Sequence, residues 1–435
     1  MFILLFLCIS PEHLIRYVYL LIHVQSLILH LASPSQSCSF NLKNYLNRIR
    51  PLVHCDNKPR SNSYDFSLLS YNILAQNLLE KNSFLYDWSD LRVLNWEYRR
   101  KLLLDEIRKY NADIICFQEV QETHLNWFFR NLSDIGYNGV YKKRTHGHQD
   151  GCAIYYKNDK FVLKEKVTVE YNQPGISVLD RDNVGIVLRL SPRQNEHENV
   201  IVSTTHILYN KKRHDVKLAQ VHLLLAEIER VAYKGHDKDD DRVIPLYHPI
   251  VLTGDFNLEP NTAVYDFLIN GALNYSELQK PTLWPQTNVS GRQEMGNELI
   301  PQCLGITEHS QHTNILELRS SNNHKRQTND SLYSKLYHSE RKNDKSLADS
   351  YSKYGQCTGN LYHNLKFASV YNDSSCSTFH DQWVIVDYIF YTHTSLKLKT
   401  YQKLPNVDEC KGLPPMPNKL CPSDHLPLYA VFTFK

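Results

Sequence analysis

The chain has 435 residues, 42% of them hydrophobic, which suffices for a large buried core. Its 49 Lys and Arg nearly balance 46 Asp and Glu, a formal charge of +3, so whole-chain charge gives no argument for a nucleic-acid partner and any basic surface must be local. None of the ten cysteines forms a C-x-x-C pair, which argues against a zinc ribbon.

The first 32 residues are apolar but interrupted. "YVYLLIHVQSLILHLA" (17–32) carries His23, Gln25 and His30, and falls short of a spanning helix. No basic region precedes Phe2, as a signal peptide requires. Residues 1–63 are read as a leader, either disordered or an endomembrane anchor, on a protein of the cytoplasm or nucleus. From residue 64 to 435 the texture is that of one domain. "FSLLSY" (66–71) is a strand; "WEYRRKLLLDEIRKY" spaces Leu103, Ile107 and Tyr110 as a helix does. "DIICF" (113–117) is strand-like, and "HLNWFFRNLSDIG" suits a helix stopped by Gly136. "CAIYYK" (152–157), "VGIVLRL" (184–190) and "VIVSTTH" (200–206) follow as strands. Cys116 and Cys152 lie inside such apolar runs and read as small buried hydrophobes, a sign of a reducing compartment. "DVKLAQVHLLLAEIERVAY" (215–233) predicts a helix with Asp215 at its N-cap. "GHDKDDDR" (235–242) reads as an acidic surface loop. "HPIVLTG", "VIVDYIFY" (384–391) and "LYAVFTF" (428–434) are the last strands. Residues 286–362, rich in Asn, Ser, His, Lys and Gln, predict an irregular, partly disordered insertion. Its weakly basic part near Lys325, Arg326, Arg341 and Lys342 reads as a solvated loop. Several consecutive strands in the middle suit two packed sheets flanked by helices better than strict βαβ alternation.

The polar residues then fall into a pattern. Asn72 ends the first strand, Glu119 follows the second, and His206 ends "VIVSTTH". In "LTGDFNLEP" (252–260), Asp255 and Asn257 follow an apolar run; residues two apart on a strand share a face, although the same pair could cap a helix. Asp387 sits within an apolar strand, where burial without a partner is costly. Asp424 and His425 precede the last strand. Six such positions at strand edges suggest one shared rim. Carboxylates, amides and histidines suit a magnesium-assisted phosphoester hydrolase, because magnesium prefers oxygen ligands. Tyr209 could stack on a base or belong to the core. Lys143, Arg144 and the "KKR" at 211–213 could meet RNA phosphates, although for each alone a solvated surface role is the simpler reading.

"LLSYNIL", "ICFQEV", "TTHILYN", "GDFNLEP", "VDYIFY" and "SDHLPL", in this order, resemble the endonuclease/exonuclease/phosphatase superfamily. "WEYRRKLLLDEI", "DGCAIYYK", "LDRDNVGIVLRL" and "THILYNKKRHDVKLAQVHLLLAEI" resemble its angel branch, relatives of the mRNA deadenylases. The resemblance covers about residues 64–285 and 367–435. It implies an α/β fold, a four-layer αββα sandwich of two packed mixed sheets flanked by helices. It also implies one or two magnesium ions, with manganese as a substitute, held by Glu119 and Asn72 and aided by Asp255, Asn257 and His425. Asp255 would orient or deprotonate the attacking water, and Asn257 would hold the phosphate or a second metal. His425 would stabilise the pentavalent transition state, Asp387 would orient it, and His206 would contact the phosphate or the departing oxygen. Asp424 is read as bracing the loop. Asn257, His206, Tyr209 and Arg144 are the substrate-binding candidates. The implied activity is hydrolysis at RNA 3′ ends, by 3′–5′ exonuclease or 2′,3′-cyclic phosphatase chemistry, with RNA and mRNA-metabolism proteins as partners. The contrasting reading is a non-catalytic adaptor for mRNA or a translation factor that retains the hydrolase fold.

Overall fold

The computed structural model describes residues 41–55, 64–239, 242–280, 282–285, 294–321, 357–379 and 381–435. Two large sheets hold the strands β1 (Leu52–His54), β2 (Asp65–Asn72), β3 (Ile114–Gln121), β4 (Tyr137–Lys143), β5 (Asp150–Lys157), β6 (Phe161–Glu170), β7 (Val184–Pro192), β8 (Val200–His206), β9 (Ile250–Asp255), β10 (Phe367–Ser369), β11 (Asp387–Thr392), β12 (Leu396–Gln402) and β13 (Leu428–Phe434). The first sheet runs β1-β12-β13-β2-β3-β5-β4 and the second β10-β11-β9-β8-β7-β6. Both are mixed: β2 and β3 are parallel, as are β8 and β9, within otherwise antiparallel ladders.

The period-two alternation of the strands builds the layers. On β2, Phe66 and Leu68 enter the large core, while Leu69 and Tyr71 point to the opposite side. Ile114, Cys116, Cys152 and Ile154 join the large core, so both cysteines are buried as their apolar contexts require. On the outer side, helix α1 (Trp96–Tyr110) lays Trp96, Leu103 and Ile107 against Leu69, Ile115 and Phe117. Asn95 caps it, accepting the Glu97 N–H at 2.8 Å, and Asn111 ends it in the left-handed conformation. The second sheet is covered by α2 (His214–Ala232) and α3 (Ala263–Asn270), whose Val216, Leu224, Val264 and Phe267 belong to the large core. The result is the expected αββα arrangement.

Several local expectations are corrected. Strand β1 lies within the stretch read as a leader and pairs with β12, so the sheet reaches back before residue 64. Residues 1–40, with the apolar runs, lie outside the described residues. Among the described residues no helix is long and apolar enough to cross a membrane, and the expected endomembrane association is withdrawn. The acidic "loop" is a hairpin of Tyr233–Asp239 and Arg242–Tyr247. Asp215 is not the N-cap of α2: Arg213 holds that position, and Asp215 accepts from its guanidinium at 2.9 and 3.1 Å.

The insertion is also more structured than its composition suggests. Every residue of α2 is buried. Residues 294–321 explain part of this, because Ser310, His312 and Arg319 pack onto the helix. His312 faces Glu227 at 3.0 Å, and Arg319 pairs with Glu229 at 2.9 and 3.1 Å. The segment ends in helix α4 (Thr313–Ser321). The basic residues 325, 326, 341 and 342 lie outside the described residues.

Candidate active site

Strand register delivers the rim. Asn72 closes β2 opposite Gln118 of β3. The pairing of β3 with β5 slips between Phe117 and Val120, a bulge in which Glu119 adopts φ 58°. A left-handed glutamate stores roughly 1–3 kcal/mol of strain, and such positions concentrate at functional sites. Two bonds hold it there: Ala75 N–H to Oε2 at 2.9 Å and Asn72 Nδ2 to Oε1 at 3.1 Å. In the second sheet, Asp255 lies directly between His206 of β8 and Asp387 of β11. Gly254 permits that close packing, with φ 151°; a Cβ there would sit 2.2 Å from the Thr205 carbonyl oxygen.

Asn72 bridges the sheets. Its Nδ2 donates to Glu119 at 3.1 Å and to Asp255 Oδ2 at 3.0 Å, while its Oδ1 accepts the Leu74 N–H. In this structure it therefore orients two carboxylates. His425 completes the cluster: Nδ1 lies 2.8 Å from Asp387 Oδ2, and Nε2 lies 3.7 Å from Asp255 and 3.9 Å from Asp424. Ser377 Oγ also donates to Asp387, at 2.6 Å. Asp387 thus has the partners that its apolar strand demanded. His206 Nε2 approaches Asp255 Oδ2 at 3.6 Å.

Burial sets the electrostatics. It pushes Asp255 up to about 6, reinforced by the Asp387 charge. Burial likewise raises Glu119 and lowers His206. Burial opposes charge on His425 too, but Asp387, Asp424 and Asp255 outweigh it and hold the ring well above the usual histidine range. Glu119, partly buried, and Asp255, buried, are carboxylates joined through the Asn72 amide, and the ligand atoms they offer are all oxygen. That set fits a hard divalent cation, whose charge would relieve the desolvation that raises both groups. Among the described residues, Asp255, Asp387 and His425 also bring ligand atoms within 4.8 Å of one another. The facing atoms of Asp387 and His425 are bonded to each other, which favours a proton-holding pair.

Asn257 reaches the rim by a different route from the one expected. The strand stops at Asp255, and Asn257 turns with φ 49°, its N–H bonded to Asp255 Oδ1 at 2.9 Å and its Nδ2 to the Ile207 carbonyl at 3.1 Å. The pair caps no helix, because α3 is capped by Thr262. Glu119, His206, Tyr209, Arg144, Asp255, Asn257 and His425 line one cavity of about 260 Å³. Arg144 pairs loosely with Asp150 at 3.4 Å, and its buried Nε has no hydrogen-bond partner. Tyr209 is half exposed at the mouth.

Sequence reasoning left some residues without a role. Asn183 lines the cavity and donates to the His206 carbonyl at 3.1 Å. Tyr86 lines it too and donates to Asp424 at 2.8 Å, so Asp424 faces the cavity as well as bracing its loop. Arg99 is fully buried. Its Nη2 donates to the Ile73 and Leu74 carbonyls and its Nε to the Pro422 carbonyl, all at 2.6 Å, while Nη1 reaches Gln76 at 2.9 Å. It ties the loop after Asn72 to the loop before His425. The signal for Arg99 was present: with Leu103 and Ile107 it falls at i, i+4 and i+8, a charge on the apolar stripe of a helix. Tyr86 had no comparable signal.

The endonuclease/exonuclease/phosphatase family model matches residues 69–425. Protein angel homolog 2 of Homo sapiens is 36% identical over 399 residues, covering 85% of this chain and 70% of that protein. Protein angel of Drosophila melanogaster is 29% identical over 383 residues, covering 85% and 80%. The crystal structure of ANGEL2, a 2′,3′-cyclic phosphatase, is similar with a TM-score of 0.70 at 34% identity, over 88% of this chain and 97% of that one. A sequence match spanning both sheets and every rim residue from Asn72 to His425 makes this chain a member of the endonuclease/exonuclease/phosphatase family, in its angel branch.

Proposed function

We propose that the protein is a magnesium-dependent phosphoesterase that hydrolyses 2′,3′-cyclic phosphate at RNA 3′ ends. The observation that carries the choice of bond is the similarity to ANGEL2, a 2′,3′-cyclic phosphatase also solved with adenosine-2′,3′-vanadate. The rim of partly buried Glu119 and buried Asn72, Asp255, Asp387 and His425 supports the hydrolytic part of the reading. Glu119 and Asp255 would hold the ion, with Asn72 between them. Bound magnesium would neutralise the phosphoryl oxygens and the departing ribose oxygen.

The chain's own residues supply the rest. Asp255 accepts a proton from the attacking water through Oδ2. Water oxygen bonds to phosphorus as the bond from phosphorus to one ribose oxygen breaks, opening the ring. His425, kept charged by Asp387, presents Nε2–H to the anionic phosphorane, and Asn257 and Arg144 hold its remaining oxygens. His206 donates a hydrogen bond to the leaving oxygen, which takes up a proton from solvent as Asp255 releases the one it accepted.

The test incubates the pure protein with RNAs ending in cyclic phosphate, 3′-phosphate or hydroxyl, with magnesium or EDTA. Magnesium-dependent loss of the cyclic phosphate that disappears in Glu119→Ala is expected. Shortening of the hydroxyl-ended RNA would instead favour exonuclease chemistry. Unchanged RNA in every tube, with RNA binding retained, would favour the adaptor.

A further inference from the structure

A second groove, of about 380 Å³, adjoins the cavity and shares Tyr209 and Asn257 with it. Trp284 stands at this groove and is 64% exposed, while Tyr209 is 50% exposed. The tryptophan is held on a tight hairpin, with Leu278 and Gln279 opposite Pro285 and Trp284. Its neighbour Leu283 is buried and donates its N–H to the Gln279 carbonyl at 2.7 Å. An exposed indole on a braced backbone is a surface prepared for a flat partner. The charges do not make a simple phosphate cleft: Lys211 and Lys217 are balanced by Glu259 and Asp381, which line the same groove. The amide of Gln382 offers a donor and an acceptor beside them.

We propose that this groove is a second nucleotide subsite, in which Trp284 and Tyr209 hold the nucleobase next to the one bearing the reacting phosphate. The ligand class is single-stranded RNA of at least two nucleotides, recognised by stacking, which every base can supply. The proposal rests on the RNA-end reading above.

The test uses the full chain with two substrates, adenosine 2′,3′-cyclic phosphate and an adenylyl dinucleotide ending in the same cyclic phosphate. The wild type should prefer the dinucleotide. In Trp284→Ala the ratio of the two kcat/KM values should fall about tenfold, with Trp284→Phe restoring most of it. A ratio that does not move, or equal losses on both substrates, overturns the subsite. Binding of a labelled oligoadenylate in EDTA separates the two proposals. If no substrate turns over but Trp284→Ala still weakens this binding about tenfold, the subsite stands and the phosphoesterase reading fails. If binding is also unchanged, the subsite fails as well.

Discussion

Asp387 shows how one side chain becomes committed. It is buried in an apolar strand, where an unpaired carboxylate would be costly, yet it accepts from Ser377 and faces His425 Nδ1 at 2.8 Å. Asp387→Asn should therefore lower kcat by about a hundredfold or more with little change in KM, because the amide can no longer hold the charged imidazole. Steady-state kinetics on the cyclic-phosphate substrate checks this; unchanged kcat would remove Asp387 from the mechanism. Arg99 acts at a distance. Its three bonds to Ile73, Leu74 and Pro422 set the loops that present Asn72, the Ala75 N–H and His425. Arg99→Lys keeps the charge but loses the fork. It should raise the magnesium concentration for half-maximal rate several-fold, and a purely structural role would lower the melting temperature without moving that concentration. At this scale the sequence was informative wherever chemistry left an oddity in an apolar context, as at Glu119, Asp387 and His425. It was silent at Tyr86, whose hydroxyl matters only because Asp424 lies 338 positions away and within 2.8 Å.

The bounds of helix α2 were legible in the sequence to within a residue, but its burial was not. All its charges are buried: Asp215, Glu227, Glu229 and Arg230 sit in ion pairs, and Lys217 donates to the Asn257 carbonyl. Arg319 meets Glu229 through two parallel bonds and lies over the Tyr233 ring at 3.5 Å. Removing one partner of a buried pair leaves a stranded charge. Arg319→Ala should thus cost about 3–5 kcal/mol in urea unfolding, and Arg319→Leu combined with Glu229→Gln clearly less. Equal losses in the two variants would show that the pair matters for packing alone. Other elements were legible because their signals are local. The strands of both sheets carry β-branched and aromatic runs, and α1 has a clear apolar stripe. The acidic hairpin and residues 294–321 were misread because polar composition resembles a solvated loop. Only their partners, the opposite strand and α2, reveal order.

For the molecule as a whole, buried histidines tie stability to pH. Burial pushes His222 down to about 3 and His363 down to about 4. Both are therefore favoured neutral in the fold. Their contribution is fully present above the unfolded value near 6.5 and is lost as pH falls towards the folded values. Each should remove about 1.4 kcal/mol per pH unit across that window. Melting temperatures measured from pH 7.5 to 4.5 should fall, and His222→Leu should flatten the slope; a parallel curve would refute the assignment. The sequence by itself determined eight of the thirteen strands of the two sheets, helices α1 and α2, the buried cysteines and the polar residues at strand ends, because each is written in local periodicity. Tertiary structure alone decided that Asn72 bridges two sheets, that a bulge turns Glu119 inward, that Arg99 joins two loops and that α2 is wholly covered. These depend on contacts between residues far apart in the chain, and periodicity along one segment carries no information about which distant segment it will meet.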